Sequence, residues 1–189
     1  INLHKLLREK AQDLRPGESG LIALDWFNGN RSVLNDSELS AMILGYSLRT
    51  KPEEIYRALI EATAFGTKVI LDAFESAGQK ISELYAAGGI ANKDPMLMQI
   101  YADVTGKNIH VSDNSQACAL GSAIIASVAS GTYESFSSAC SRMAQPCSKT
   151  YSPISENAEP YRRLYDEYKI LHDYFGRGGN DVMKRLRNF

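Results

Sequence analysis

Residues 86–111 read AAGGIANKDPMLMQIYADVTGKNIHV. A strand-like run ends in Gly88 and Gly89, passes through a polar turn, and opens a helix at Asp94-Pro95. The aspartate suits the cap of that helix and the proline its first position. Leu97, Ile100, Tyr101 and Val104 form its apolar stripe, Gly106 stops it, and a second short strand follows in NIHVSD. Strand, glycine turn and helix is how a parallel sheet presents bare backbone to a phosphate or nucleoside. Neither G-x-G-x-x-G nor a P-loop ending in G-K-[ST] is written here, so the glycines alone also suit a plain tight connection.

Working outward, Thr50 followed by Lys51-Pro52-Glu53-Glu54 predicts a helix start with a hydroxyl cap, an early proline and an acidic first turn. Ile55, Leu59, Ala62, Gly66, Val69 and Ala73 then recur at steps of four and three. Phe65, Ile70 and Phe74 add a second apolar side, as expected of a helix sandwiched between two layers. It ends at Ala77-Gly78. Before it, residues 2–13 read as a helix with Leu3, Leu6, Leu7 and Leu14 on one side, ended by Pro16-Gly17. The stretch GLIALDWFNGNRSVLND then starts as a weak strand and breaks at Asn28-Gly29.

Downstream, ALGSAIIASVASG predicts a helix whose small face (Ala119, Ser122, Ala123, Ala126) would let it sit close against a sheet or a ligand-bearing loop. A short helix is expected over 136–143 and a last one over 158–175, with Tyr161, Leu164, Tyr165, Tyr168, Leu171 and Phe175 at core spacing. The basic end KRLRNF reads as frayed or packed on a neighbour. Helices alternating with about three short strands argue for α/β with a largely parallel sheet. Free-standing α/β domains usually carry about five or six strands, so the pattern suggests part of a longer chain.

The 189 residues, 44% apolar and 23% charged, are enough for one well-cored domain. A net charge of −1 argues against nucleic acid as the main partner. The apolar runs are far shorter than a bilayer span and no signal-peptide core is visible, so a cytoplasmic setting without membrane contact is expected. Cys118, Cys140 and Cys147 are odd in number and lack zinc-ligand spacing, and His4, His110 and His172 are scattered. No metal site is expected from this chain alone, and the cysteines suit a reducing compartment.

Four blocks in order, GLIALDWFNGNRSVLND, PEEIYRALIEATAFGTKVILDAF, AAGGIANKDPMLMQIYADVTGKNI and ACALGSAIIASVASG, resemble the carboxy-terminal half of an FGGY-family carbohydrate kinase. The tail YSPISENAEPYRRLYDEYKILHDYF resembles that family's closing helix. The resemblance implies the second lobe of an actin-like (ribonuclease H-like) ATPase fold: α/β, with an incomplete mixed or parallel sheet flanked by helices. Residues 1–176 would be the adenosine-binding lobe and 177–189 a basic tail. It implies ATP and Mg2+ as cofactors, a sugar as acceptor, and the amino-terminal lobe of the same chain as partner. The blocks are most similar to the branch whose acceptor is ribulose, phosphorylated at its 5-hydroxyl.

Carried over residue by residue, the resemblance implies an adenosine-binding turn at Gly88, Gly89 and Asn92, with Gly29 brought up to the phosphates. The family's catalytic aspartate corresponds to nothing in these 189 residues, so no activity is expected of them alone. The physical case for the turn stands beside the likeness: glycines admit a ligand to backbone N–H groups, and the asparagine amide both donates and accepts. The helix starting at Asp94-Pro95 would add a positive dipole end behind them.

Plainer roles compete at each position. Asp94 is better read as a helix cap than as an acid, Trp26 as buried at a contact between lobes, and Cys118 as a buried structural thiol. The helix after Leu120-Gly121 would pack beneath a purine. Two other classes remain: a non-catalytic actin-like module binding a partner or another copy of itself, and a Rossmann-like enzyme working through Cys118.

Overall fold

Helix α2 (Pro52–Ser76) is 25 residues long and packs against α1 (Leu3–Ala11), strand β1 (Ile22–Leu24), α4 (Pro95–Thr105) and α7 (Ser155–Gly176). This crowding is why its sequence is apolar on two sides, with Ala58, Ile60, Ala62, Ala64, Phe65, Val69 and Leu71 all buried. The computed structural model describes residues 2–114, 116–144, 147, 149–187 and 189, and among them lie eight helices and five strands.

Two small sheets flank this framework. Strand β1 pairs antiparallel with β2 (Met42–Leu44). Strand β3 (Glu83–Ala86) runs parallel to β4 (Asn108–Val111), which pairs antiparallel with β5 (Lys149–Tyr151). One pair of the three is parallel, so the arrangement is mixed rather than largely parallel. Strands β2 and β5 escape the periodicity because three residues are too few to display alternation.

The main core joins Trp26, Phe65, Tyr161, Tyr165 and Tyr168, with Phe65 centred 5.4 to 6.2 Å from the three tyrosine rings. Trp26 meets the edge of His172 at 5.4 Å inside this chain's own core, so its burial needs no second lobe. A smaller core seats Ile109 and Val111 of β4 against Met98 and Ala102 of α4.

Four expectations are corrected here. Lys51, not Thr50, is the N-cap of α2: its backbone N–H donates to Glu54 at 2.7 Å, while Thr50 Oγ1 accepts from Ser47 in the preceding turn. Helix α5 (Ala117–Ala129) exposes its small face, and of its residues only Ile124 is buried. Its main contact is α6 (Phe136–Met143), so it underlies no sheet, and Cys118 is exposed rather than buried. As far as Arg187 the basic end docks on this chain rather than fraying: α8 (Val182–Leu186) buries Met183, Lys184 reaches Asp36 at 2.6 Å, and Arg187 donates to the Ser37 carbonyl.

Candidate functional site

The turn after β3 adopts a form the local pattern did not reveal. Gly88 sits at φ +105°, ψ 176°, a region open only to glycine, and residues 89–93 make a helical segment, α3 (Gly89–Lys93). The expected polar turn is thus a five-residue helix held by Ala91, which is buried, and by Asn92. Asn92 Nδ2 donates to the Gly88 carbonyl at 3.2 Å and to the Ser112 carbonyl at 3.0 Å, pinning the turn to the end of β4. Its donor side is therefore spent on the fold, leaving the amide oxygen as the group suited to a ligand.

Asp94 is the cap of α4, accepting from Leu97 N–H at 3.0 Å, and it is buried. A carboxylate already seated on that helix start cancels the positive dipole end expected behind the glycines. That helix start therefore offers the turn no free positive end, and the bareness of the backbone remains.

A groove of about 900 Å3 opens beside this turn. One wall is α1 with its approach, contributing Asn2, His4, Lys5 and Arg8; α2 contributes Tyr56 and Ile60; the opposite wall is Gly89, Ile90, Lys93 and Leu97. Ile90 is 68% exposed, and with Tyr56 and Leu97 it offers apolar surface suited to a flat ring. His4, Lys5, Arg8 and Lys93 place basic groups around the rim. Burial and the charge of Asp94 push the Tyr56 phenol up, so it stays a neutral hydrogen-bonding group.

The four residues singled out from sequence are not brought to one cavity. Gly89 lines the groove, and a side chain built on it would meet nothing within 4 Å. Gly88 and Asn92 shape the turn that carries Gly89. Gly29 lines a separate cavity of about 380 Å3 with Asp25, Asn30, Thr63 and Thr67. Its glycine has an internal cause: a side chain there would lie 2.6 Å from Ser37 Cα. Sequence reading missed the α1 wall entirely, because nothing local links Arg8 to Lys93, 85 residues away. The one available signal was the basic spacing His4, Lys5, Arg8 on a single helical face.

Among the described residues no three His, Cys, Asp or Glu side chains converge as metal ligands. None of the helices found there is long and apolar enough to cross a membrane.

An α/β lobe with a mixed sheet, a bare glycine turn and a groove beside it has a family. Residues 2–130 match the model of the C-terminal domain of the FGGY family of carbohydrate kinases, and the chain belongs to that family. It is 58% identical over 191 residues to the ribulokinase of Halalkalibacterium halodurans and 53% identical over 193 residues to that of Anoxybacillus flavithermus. Those alignments cover 99% and 100% of this chain but 34% of each relative, so the chain spans about a third of their length.

Solved structures agree on the fold. A gluconate kinase from Lactobacillus acidophilus superposes with a TM-score of 0.81 at 22% identity, over 92% of this chain and 35% of that one. A ligand-bound xylulose kinase from the same organism gives 0.80 at 23%, over 89% and 34%. The actin-like second-lobe architecture expected from the four sequence blocks is the one observed.

Proposed function

We propose that this chain forms the adenosine-binding side of a ribulokinase-like sugar kinase, whose whole protein transfers the γ-phosphoryl group of ATP to the 5-hydroxyl of ribulose in cytoplasmic arabinose breakdown. The observation that carries the reading is Gly89: it faces an open groove and has no internal neighbour that requires it to be glycine. The purine would lie against Ile90, Leu97 and Tyr56. The Gly88-Gly89 backbone would approach the ribose and α-phosphate, and the Asn92 amide oxygen would accept from the nucleoside.

The basic rim of the groove favours the negative tail of a nucleotide. Phosphoryl transfer is driven by placement and by charge stabilisation around the γ-phosphate. This chain's share is placement: it holds the nucleoside end so that the far phosphate points toward the rest of the enzyme. Magnesium does not fit here, since the groove's lining carboxylate, Asp94, is committed to Leu97 N–H. The catalytic base, the metal and the sugar site are assigned to the part of the kinase outside these residues, and the chain alone is expected to be inactive.

Isothermal titration of the full-length kinase with ATP tests the site. Gly89→Val, which places a branched side chain where the nucleoside would lie, is expected to weaken ATP binding at least about tenfold, the loss that follows when 1.4 kcal/mol of contact is removed. Ribulose affinity should be unaltered. Equal ATP affinity in wild type and variant would refute the assignment.

A further inference from the structure

Helix α1 is one wall of the groove, and hydrogen bonds to two other elements fix its place. At its carboxyl end the carbonyl of Ala11 accepts from Arg57 Nη1 at 3.0 Å. That guanidinium is itself held on both remaining sides, Nε to Glu61 Oε1 at 2.9 Å and Nη2 to the Tyr161 hydroxyl at 3.0 Å. The Tyr161 hydroxyl donates onward to Glu61 at 3.1 Å. Arg57, Glu61 and Tyr161 are only 5%, 2% and 2% exposed. A buried ion pair of this kind adds little net stability over an apolar replacement, whereas the planar fork of arginine imposes direction. Arg57 therefore ties the carboxyl end of α1 to α2.

One turn back toward the groove, Arg8 Nη1 donates to the carbonyl of Lys93 at 2.8 Å. Lys93 is the last residue of α3, the five-residue helix whose first residue is Gly89. A helix this short has no stability of its own and sits where its surroundings hold it. Asn92 anchors it to the end of β4, Asp94 anchors the start of the next helix, and Arg8 anchors it across the groove to α1. A run of hydrogen bonds thus leads from α7 and α2 through α1 to the glycine turn.

We propose that Arg8, seated by the buried Arg57, is a positioning residue for the nucleotide: it fixes the height of the 88–93 turn so that the Gly88-Gly89 backbone meets the ligand preformed. This rests on the nucleotide reading of the groove. Without the Arg8 bond the turn samples positions in which the glycine backbone is displaced, and apparent affinity falls by the fraction of time it is misplaced.

The test is hydrogen exchange of the 88–93 amides and steady-state kinetics on the full-length kinase, comparing wild type, Arg8→Met and Arg8→Lys. Arg8→Met should speed exchange of those amides in the absence of nucleotide and raise KM for ATP about tenfold, the scale of one charge-assisted hydrogen bond. KM for the sugar should hold, and Arg8→Lys, which keeps a charged donor, should recover part of both effects.

Faster exchange with unchanged KM for ATP would overturn the proposal, as would no change in either. A raised KM with unaltered nucleotide-free exchange would overturn it in favour of direct contact between Arg8 and the ligand. The wild-type exchange measured with and without ATP separates the two levels. If ATP fails to slow exchange at 88–93, the nucleotide reading falls and this inference with it; if ATP slows it, the groove stands and Arg8 alone is on trial.

Discussion

A methyl group on Gly29 would lie 2.6 Å from Ser37 Cα and 2.8 Å from the Asp36 carbonyl, on a backbone at φ +75°. Gly29→Ala is therefore expected to cost about 1–3 kcal/mol or more, the scale of local backbone strain. The same methyl on Gly89 meets nothing within 4 Å, so Gly89→Ala should stay within about 0.5 kcal/mol of wild type. Urea unfolding of the two variants separates a glycine required by packing from one with open space around it; comparable losses would remove that distinction. In the core, burial pushes the Glu61 carboxyl up while Arg57 pulls it down. Arg57→Met leaves Glu61 without its counter-charge and should cost about 3–5 kcal/mol, whereas Arg57→Met with Glu61→Leu should recover most of it. At this scale Asp94 was readable in the sequence, because a cap acts on a backbone N–H three residues away. The packing constraint on Gly29 was not, because Ser37 approaches only after the loop has closed.

Elements were readable in proportion to their length. Helix α2 and helix α7, at 25 and 22 residues, show their apolar spacing over many turns. Helix α3 and strands β2 and β5, at five and three residues, do not. Helix α8 belongs to the same group, and its docking makes a pH-dependent prediction. The hydrogen bond from Lys184, then that from the Glu38 backbone, hold the Asp36 carboxyl below its ordinary range. A depressed carboxyl contributes its stabilisation fully above the ordinary value of 3.8 and loses it as pH falls through the lower folded value. Hydrogen exchange of the 182–186 amides, corrected for intrinsic rate, should therefore rise only below about pH 3.8. Asp36→Asn should bring the same loosening at neutral pH, seen as faster tryptic cleavage after Lys184 and Arg185. Cleavage at the wild-type rate would mean that Met183 packing and the Arg187 bond to the Ser37 carbonyl hold the helix without the Asp36 pair.

Taken whole, the chain leaves apolar surface uncovered. Helix α5 exposes Ile125 and its small face, Tyr85 stands out from β3, and the edge of β3 away from β4 meets no strand among the described residues. Exposed strand edges and apolar patches are adhesive in water. The isolated 189-residue chain is therefore expected to bind an apolar reporter dye and to self-associate as concentration rises. Light scattering behind size-exclusion chromatography checks this, and the full-length kinase should show neither behaviour at matched concentration. A strictly monomeric, dye-silent chain would show that these surfaces satisfy themselves. The molecule's span of about a third of its relatives' length gives that contrast its meaning.

Local order settled much of this protein in advance. Periodicity over long helices, a proline and carboxylate at a helix start, and four blocks in sequence were enough for the α/β class and the kinase family, since each depends on residues a few positions apart. The groove was decided only in three dimensions. Arg8 reaches Lys93 across 85 residues, and Arg57 reaches Ala11 across 46 and Tyr161 across 104. A linear pattern carries no sign of such pairings, because they exist only once packed helices have fixed which donors and carbonyls face one another.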